Sequence, residues 1–330
     1  MIVSRPFRNN LPAAQIAMTT TTVTAPRSAP LTHAQAYGLL ALVVFVWGAN
    51  WPTMKMGLHH ITPLWFAAAR FWMGSLCLFA LLAVQGRLAL PSRRDLPVLL
   101  SVGITQMALF QPTVNFGLSH VAAGRAAVLV YTTPLWVVPG AMLFLGEKIG
   151  ALKWAGVALG LVGIAVLFNP LGLDWTNRDV VIGSLLLMFA AMIWSIAVVH
   201  IRGHEWHLTP LQLTPWQLLF AAVLVTPAAA IFEGDTKPDW SPQLIYALVY
   251  NGPIATAFAF WAATSISRAL PAVTSSLSFL AVPAMGILLS LLSLGEVPDL
   301  SLLGGFGLIL GGVALVNLAD WRAVRSSPPR

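Results

Sequence analysis

Arg70 lies about two turns inside an apolar run, where a guanidinium is costly to keep and is usually retained for a task. Two parallel N–H donors suit it to a carboxylate or another anionic group of a substrate. The alternative is a structural cation, satisfied by carbonyls or snorkelling to the nearer membrane interface. Trp47 and Asn50 stand three residues apart and share a helix face. An amide there can read a zwitterion or hydroxyl while the indole packs an apolar side chain; helix–helix contact and core packing is the other reading. Gln111, Tyr131, Trp194, Gln217, Asn251, Thr256, Ser275 and Ser278 place further polar or aromatic groups within apolar runs. For any one of them taken alone, packing is the simpler role.

These residues need a scaffold, and composition says which kind. Of 330 residues, 58% are hydrophobic and 9% charged, against about 25% charged in soluble domains. The single Cys77 excludes an internal disulfide and lies in an apolar run, away from any metal or redox pattern. A net charge of +7 raises the question of nucleic acid, but the basic residues sit in short clusters between apolar stretches. That pattern orients a membrane protein instead. Runs of about 20 residues, enough for a hydrocarbon core about 30 Å thick, are expected at 36–56, 64–84, 96–117, 122–143, 151–168, 181–201, 211–232, 243–264, 273–293 and 300–320. Short connections such as Gly57 to Pro63 and Leu118 to Val121 make consecutive helices antiparallel neighbours.

With both termini in the cytoplasm, thirteen Lys and Arg fall inside and only Lys55, Arg178 and Lys237 outside. Residues 1–35 read as a disordered cytoplasmic tail without a cleaved leader, with translation from Met18 as a side reading. Residues 321–330 form a second cytoplasmic tail.

The chain also repeats itself at an offset of 147–149 residues. Thr62-Pro63-Leu64 returns as Thr209-Pro210-Leu211, Trp47 as Trp194, and Gly103 and Ala108 as Gly252 and Ala257. Pro134 precedes Glu147 by the same interval that separates Pro283 from Glu296, and both stretches close with Leu-Gly-Glu. A five-span repeat has an odd number of crossings, so its second copy enters the membrane upside down, as in many transporters. The expected fold is therefore an all-α integral membrane protein with ten transmembrane helices in two inverted five-helix repeats.

Trp47-Gly48-Ala49-Asn50-Trp51, Pro63 to Ala69-Arg70-Phe71, Ala122-Ala123, Pro134 and Leu145-Gly146-Glu147 together resemble the EamA repeat of the drug/metabolite transporter superfamily. The second half repeats the pattern with Trp194, Thr209-Pro210, Pro283 and Leu294-Gly295-Glu296. The resemblance spans about 36–320, one repeat at 36–170 and one at 180–320. It implies a ten-helix carrier of amino acids, other metabolites or toxic organic compounds, often an exporter of the bacterial inner membrane. The copies differ where polarity counts: Arg70 aligns with Gln217, and Asn50 with Ala197.

Pro134 and Pro283 are expected near the middle of spans four and nine, leaving the carbonyls of about Val130 and Phe279 without helical partners. Such groups are tolerated inside protein or beside a water-filled path, so both prolines point to a central substrate route; a packing kink is the bland alternative. Gly156, Gly160, Gly163, Gly304, Gly307 and Gly311 permit close helix approach, within the bundle or at a homodimer interface. No Asp, Glu or His falls near the middle of a span, so the usual proton relay is missing. Facilitated diffusion or exchange is expected, with Glu147 and Glu296 as gating candidates whose simpler role is helix capping. Neither a phosphate-binding loop nor a His-Glu-x-x-His pair occurs, which argues against a pump and a metalloenzyme. The expectation is a cofactor-free carrier exporting amino acids or related metabolites, with multidrug export as the alternative.

Overall fold

The structure, a computed structural model, describes residues 32–145, 150–168, 177–202, 207–269, 279 and 281–326. Among them every regular element is helical. Seven runs are long and apolar enough to cross a membrane: Ala34–Gly57, Pro63–Val84, Leu96–His120, Ala123–Phe144, Arg178–His200, Leu211–Phe232 and Pro242–Ala263. Shorter apolar stretches cover Ala151–Val166, Ala281–Leu294 and Leu300–Val316. Large apolar side chains such as Leu76, Val84, Phe144, Ile231 and Phe232 point outward, as they do on a protein whose solvent is lipid. The chain is a multi-pass membrane protein.

In chain order the helices are α1 (His33–Gly57), α2 (Pro63–Val84), α3 (Leu96–Val102), α4 (Phe110–His120), α5 (Ala123–Val130), α6 (Thr133–Leu145), α7 (Ala151–Phe168), α8 (Arg178–Arg202), α9 (Pro210–Phe232), α10 (Pro242–Val249), α11 (Ala259–Ala269), α12 (Ala281–Leu294) and α13 (Leu300–Ser326). A π-helical stretch, Gly103–Leu109, joins α3 to α4, and a second, Tyr250–Phe258, joins α10 to α11. They occupy equivalent positions of the two repeats and contain the matched pairs Gly103/Gly252 and Ala108/Ala257. Single-turn π segments inside helices are frequent at functional sites.

Helix starts show how sequence chooses local structure. Thr32 and Thr209 each form a reciprocal cap with the Gln three residues on. Thr62 has Trp65 where Thr209 has Gln212, and its side chain makes no cap hydrogen bond. The carboxylate of Glu233 supplies that cap from the end of α9, accepting from Leu64 N–H at 2.9 Å and Trp65 N–H at 3.1 Å. Trp65 Nε1 donates to Gly234 O and Gln212 Nε2 to Arg87 O, both at 3.1 Å. These bonds are equivalent under the repeat offset.

Helix packing obeys the same correspondence. α1 packs on α12 as α8 does on α6, and α1 on α11 as α8 does on α4. α2 packs on the second π segment as α9 does on the first. The pairs α2–α9 and α7–α13 are their own counterparts. In α7–α13 the approach is backbone to backbone: a Cβ on Gly156 would lie 2.6 Å from Gly312 O, and one on Gly163 2.8 Å from Gly305 O. The glycines of α13 that matter are thus Gly305 and Gly312. Gly307 has nothing within 4 Å and Gly304 only Val166 at 3.7 Å. Of the glycines expected from sequence, Gly156, Gly160 and Gly163 are close-packed and a Cβ on Gly311 would meet Leu159 at 3.3 Å, whereas Gly304 and Gly307 are not close-packed, because spacing alone does not say which face meets the neighbour.

Candidate functional site

Arg70 is 5% exposed. Its Nε donates to Thr256 Oγ1 at 2.7 Å and Nη1 approaches Met54 Sδ at 3.4 Å. Thr256 Oγ1 in turn donates to Asn251 O, five residues back along the second π segment, at 2.7 Å. Among the described residues no carboxylate comes within ion-pair distance of Arg70. A buried cation there is held by neutral groups, which leaves its charge available to an anionic ligand.

Gln111 on α4 converges on the same sulfur, Nε2 to Met54 Sδ at 3.5 Å, and donates to Asn115 Oδ1 at 3.0 Å. Asn115 Nδ2 ties this group to Pro63 O at 2.9 Å. Asn50 lies one turn before Met54 on α1. Its Oδ1 is buried without a hydrogen-bond partner, as are Asn251 Oδ1 and Gln217 Nε2. Buried polar atoms left unpaired cost about 1–3 kcal/mol each, so each is a natural contact point for a polar ligand. Asn251 Nδ2 is spent on Ala247 O of its own helix. The α1–π contact is fixed by Tyr250 Oη donating to Val46 O at 2.8 Å and Trp47 Nε1 donating to Ala255 O at 3.1 Å.

The structure therefore brings Arg70 and Gln111 together at Met54, with Asn50 one turn away on α1 and the Asn251 backbone joined to Arg70 through Thr256. Trp47 edges this group with its N–H already satisfied, packing on Phe260 and Phe279. Trp194 lies against Phe110 at a ring distance of 4.6 Å, beside Gln111 in sequence. Gln217 stands on α9 between Pro215, whose carbonyl accepts from Ser75 Oγ at 2.9 Å, and Leu218, whose Cδ1 would lie 3.4 Å from a Cβ on Gly74. It therefore faces the Gly74–Ser75 level of α2, about 6–8 Å along the axis from Arg70.

Pro134 sits in the first turn of α6, and the break it was expected to cause separates α5 from α6 at Tyr131–Thr132. The freed carbonyl is met by a hydroxyl: Thr133 Oγ1 donates to Val130 O at 2.8 Å, while Leu129 O accepts from both the backbone N–H and the hydroxyl of Thr132. Tyr131 stands at the break itself. Pro283 is buried near the start of the described part of α12, and residues 270–278 and 280, which would show whether it lies in mid-helix, are outside the described residues. Ser275, Ser278 and Glu147 lie outside the described residues.

Glu296 caps α5, its two oxygens accepting from Ala123 N–H at 3.0 Å and Gly124 N–H at 3.3 Å. Met54, Asn115 and Lys55 were not singled out from sequence. The first two stand four residues from Asn50 and Gln111, a spacing that could have flagged them.

With this geometry in view, the likeness to known proteins can be placed. The sequence pattern of the EamA-like transporter family matches residues 34–169 and again 181–318. The uncharacterized transporter YoaV of Bacillus subtilis is 27% identical over 271 residues, 82% of this chain and 92% of that protein. A probable terminal-alkyne amino-acid exporter of Streptantibioticus cattleyicolor is 28% identical over 288 residues, 86% of this chain and 93% of its own. A probable amino-acid metabolite efflux pump of Escherichia coli is 28% identical over 299 residues, covering 86% and 96%. One solved crystal structure superposes with a TM-score of 0.59 over 87% of this chain and 99% of its own, at 23% identity. Two matched copies covering most of the sequence place this chain in the EamA-like transporter family.

Proposed function

We propose that this protein is a secondary transporter of the bacterial inner membrane that exports amino acids or related carboxylate metabolites by alternating access. The observation that carries the reading is Arg70, buried, charged and met, among the described residues, only by neutral partners. A cation in that setting favours an anionic ligand group, and a free carboxylate fits its planar fork. The unpaired oxygens of Asn50 and Asn251 are acceptors suited to the ammonium of the same zwitterion. A lipophilic cation would meet charge repulsion from Arg70, which ranks multidrug export second. Two relatives named for amino-acid or amino-acid metabolite efflux support the substrate class and the outward direction.

The architecture for this reading is ten spans in two inverted repeats, with both termini cytoplasmic. The paired packings of α1, α2, α8 and α9 support it, because two interchangeable halves supply inward-open and outward-open states from one set of contacts. The thirteen-to-three Lys/Arg bias supports the orientation. The experiment compares metabolites in medium and cytoplasm for cells expressing wild type or Arg70→Ala at matched levels. Build-up of an amino acid or related anion outside only with wild type is the expected result. Equal export by both would remove Arg70 from the site.

A further inference from the structure

The turn between α4 and α5 is two residues long, Val121 and Ala122, and neither flanking helix end caps itself fully. In the last turn of α4 Ser119 Oγ donates to Phe116 O, leaving the later carbonyls to other partners, and the Ala122 side chain offers α5 no acceptor. Both ends are completed from elsewhere in the chain. Lys55, in the last turn of α1, donates to Leu118 O at 2.7 Å, Ser119 O at 3.2 Å and Val121 O at 2.8 Å. It sits at the negative end of the α4 dipole. Glu296, on the connection from α12 to α13, takes the Ala123 and Gly124 amides at the positive end of α5. Three residues on, Asp299 caps α13 through Leu302 N–H at 2.6 Å and lies 3.9 Å from Arg125.

Beneath these charges the same helices meet in a seam of small apolar groups. Ala123, Ala126 and Ala127 are fully buried. A Cβ on Gly286 would come within 3.3 Å of both Ala127 and Trp51, and one on Gly124 within 3.4 Å of Ile287. Thus α1, α5 and α12 close on one another directly below the Lys55–Glu296 pair, with Asn50 and Arg70 further in.

We infer that Lys55 and Glu296 are the latch of a gate at this face, holding α1 and the α12–α13 connection shut across the α4–α5 turn; this rests on the carrier reading above. The latch chemistry suits reversibility. Both charges are half-buried at a helix end, so when α1 or α12 swings away, water rehydrates the ammonium, the carboxylate and the freed backbone groups. The apolar seam below excludes water while closed; the Ser290 hydroxyl, one turn from Gly286 on α12, is buried there without a hydrogen-bond partner. A second carboxylate serves as an internal comparison. Glu233 grips two N-terminal amides of α2 in the same bidentate way, but it joins α9 to α2, the self-paired helices at the centre of the bundle. Equal chemistry on a fixed joint should affect stability without affecting opening. The repeat offset also sets Arg202 and Glu147 opposite Lys55 and Glu296 in sequence.

The test uses full-length protein in lipid nanodiscs, with Cys77→Ala and a reporter Ala127→Cys in the seam, labelled with a water-soluble maleimide. Val130→Cys, one turn deeper, is a second reporter should the first disturb folding. Adding Lys55→Met or Glu296→Gln should raise the labelling rate at least tenfold, whereas adding Glu233→Gln should leave it within twofold. Unchanged labelling in folded Lys55→Met and Glu296→Gln protein would overturn the latch. So would an equal rise with Glu233→Gln, which would mean general loosening. Flux is measured separately in vesicles: labelling that follows the prediction without flux of any amino acid would leave the latch and sink the carrier reading, and the reverse would do the opposite.

Discussion

Replacing Arg70 with Gln should abolish transport and leave stability nearly unchanged, since two opposed contributions of similar size disappear together. The Nε–Thr256 hydrogen bond at 2.7 Å is charge-assisted and contributes about 1.5–3 kcal/mol. Against it stands the cost of keeping a cation deep in a span, about 2.5–3.5 kcal/mol on insertion scales. The second repeat already buries Gln217 at the equivalent position, 3% exposed, so the amide is sterically acceptable in this fold. The net change should stay within about 1 kcal/mol, a melting shift of no more than about 4 °C for a chain of this size. The substrate sees only the loss. Removing one side of a buried charge pair costs about 2–5 kcal/mol, or about 30-fold to several thousand-fold in affinity at 1.4 kcal/mol per factor of ten. Arg70→Lys keeps the charge without the planar fork and should fall between. Thermal unfolding by intrinsic fluorescence, paired with vesicle flux, reads both quantities. Wild-type flux in Arg70→Gln would refute the substrate role, and a melting drop beyond about 10 °C would show that Arg70 instead holds the π segment through Thr256.

Other consequences follow from the packing and the caps. Gly312→Ala would set a Cβ 2.5 Å from Gly156 O, and such overpacking between backbones should cost about 1–3 kcal/mol in thermal unfolding. Glu233→Gln should lose about 1 kcal/mol from its cap on α2 while flux per folded molecule persists. Asp95 lies at the start of α3, where burial works to raise its pKa, but hydrogen bonds from the Ser92 hydroxyl and the backbone of Leu208, Ser92 and His207 outweigh this and lower it. Its stabilisation is therefore present above the ordinary carboxyl pKa and fades as pH falls through the lowered folded value. Melting followed below about pH 4 should show a weaker acid dependence in Asp95→Asn than in wild type.

Seven of the spans were legible because bilayer thickness and backbone hydrogen bonding leave an apolar run few alternatives. The break at Pro134 was legible for a similar reason, since a proline ring removes a particular hydrogen bond whatever surrounds it. Its chemical consequence was less so: the Thr133 hydroxyl satisfies the Val130 carbonyl that the sequence suggested for a substrate path. Glu296 as a cap could be read from its place after a helix, but Glu233 capping α2 could not, because the two meet only in tertiary structure. The π segments escaped too. Gly103 and Gly252 were matched by the repeat, yet an extra residue per turn leaves no hydropathy signature over seven to nine positions. Arg70 announced itself by charge in an apolar run, whereas Thr256 and Met54, its partners, come from other helices. Lys55 counted only as one outside cation until its three carbonyls were seen.

The central claim is carriage of a small carboxylate-bearing molecule past Arg70, and counterflow in reconstituted vesicles tests it most directly. Vesicles loaded with a mixture of amino acids would be offered the same mixture, isotopically labelled, outside. The account predicts trans-stimulated entry of at least one amino acid with wild type, absent from protein-free vesicles and from Arg70→Gln. Entry that is equal for wild type and Arg70→Gln, or no entry with folded wild type, would contradict it.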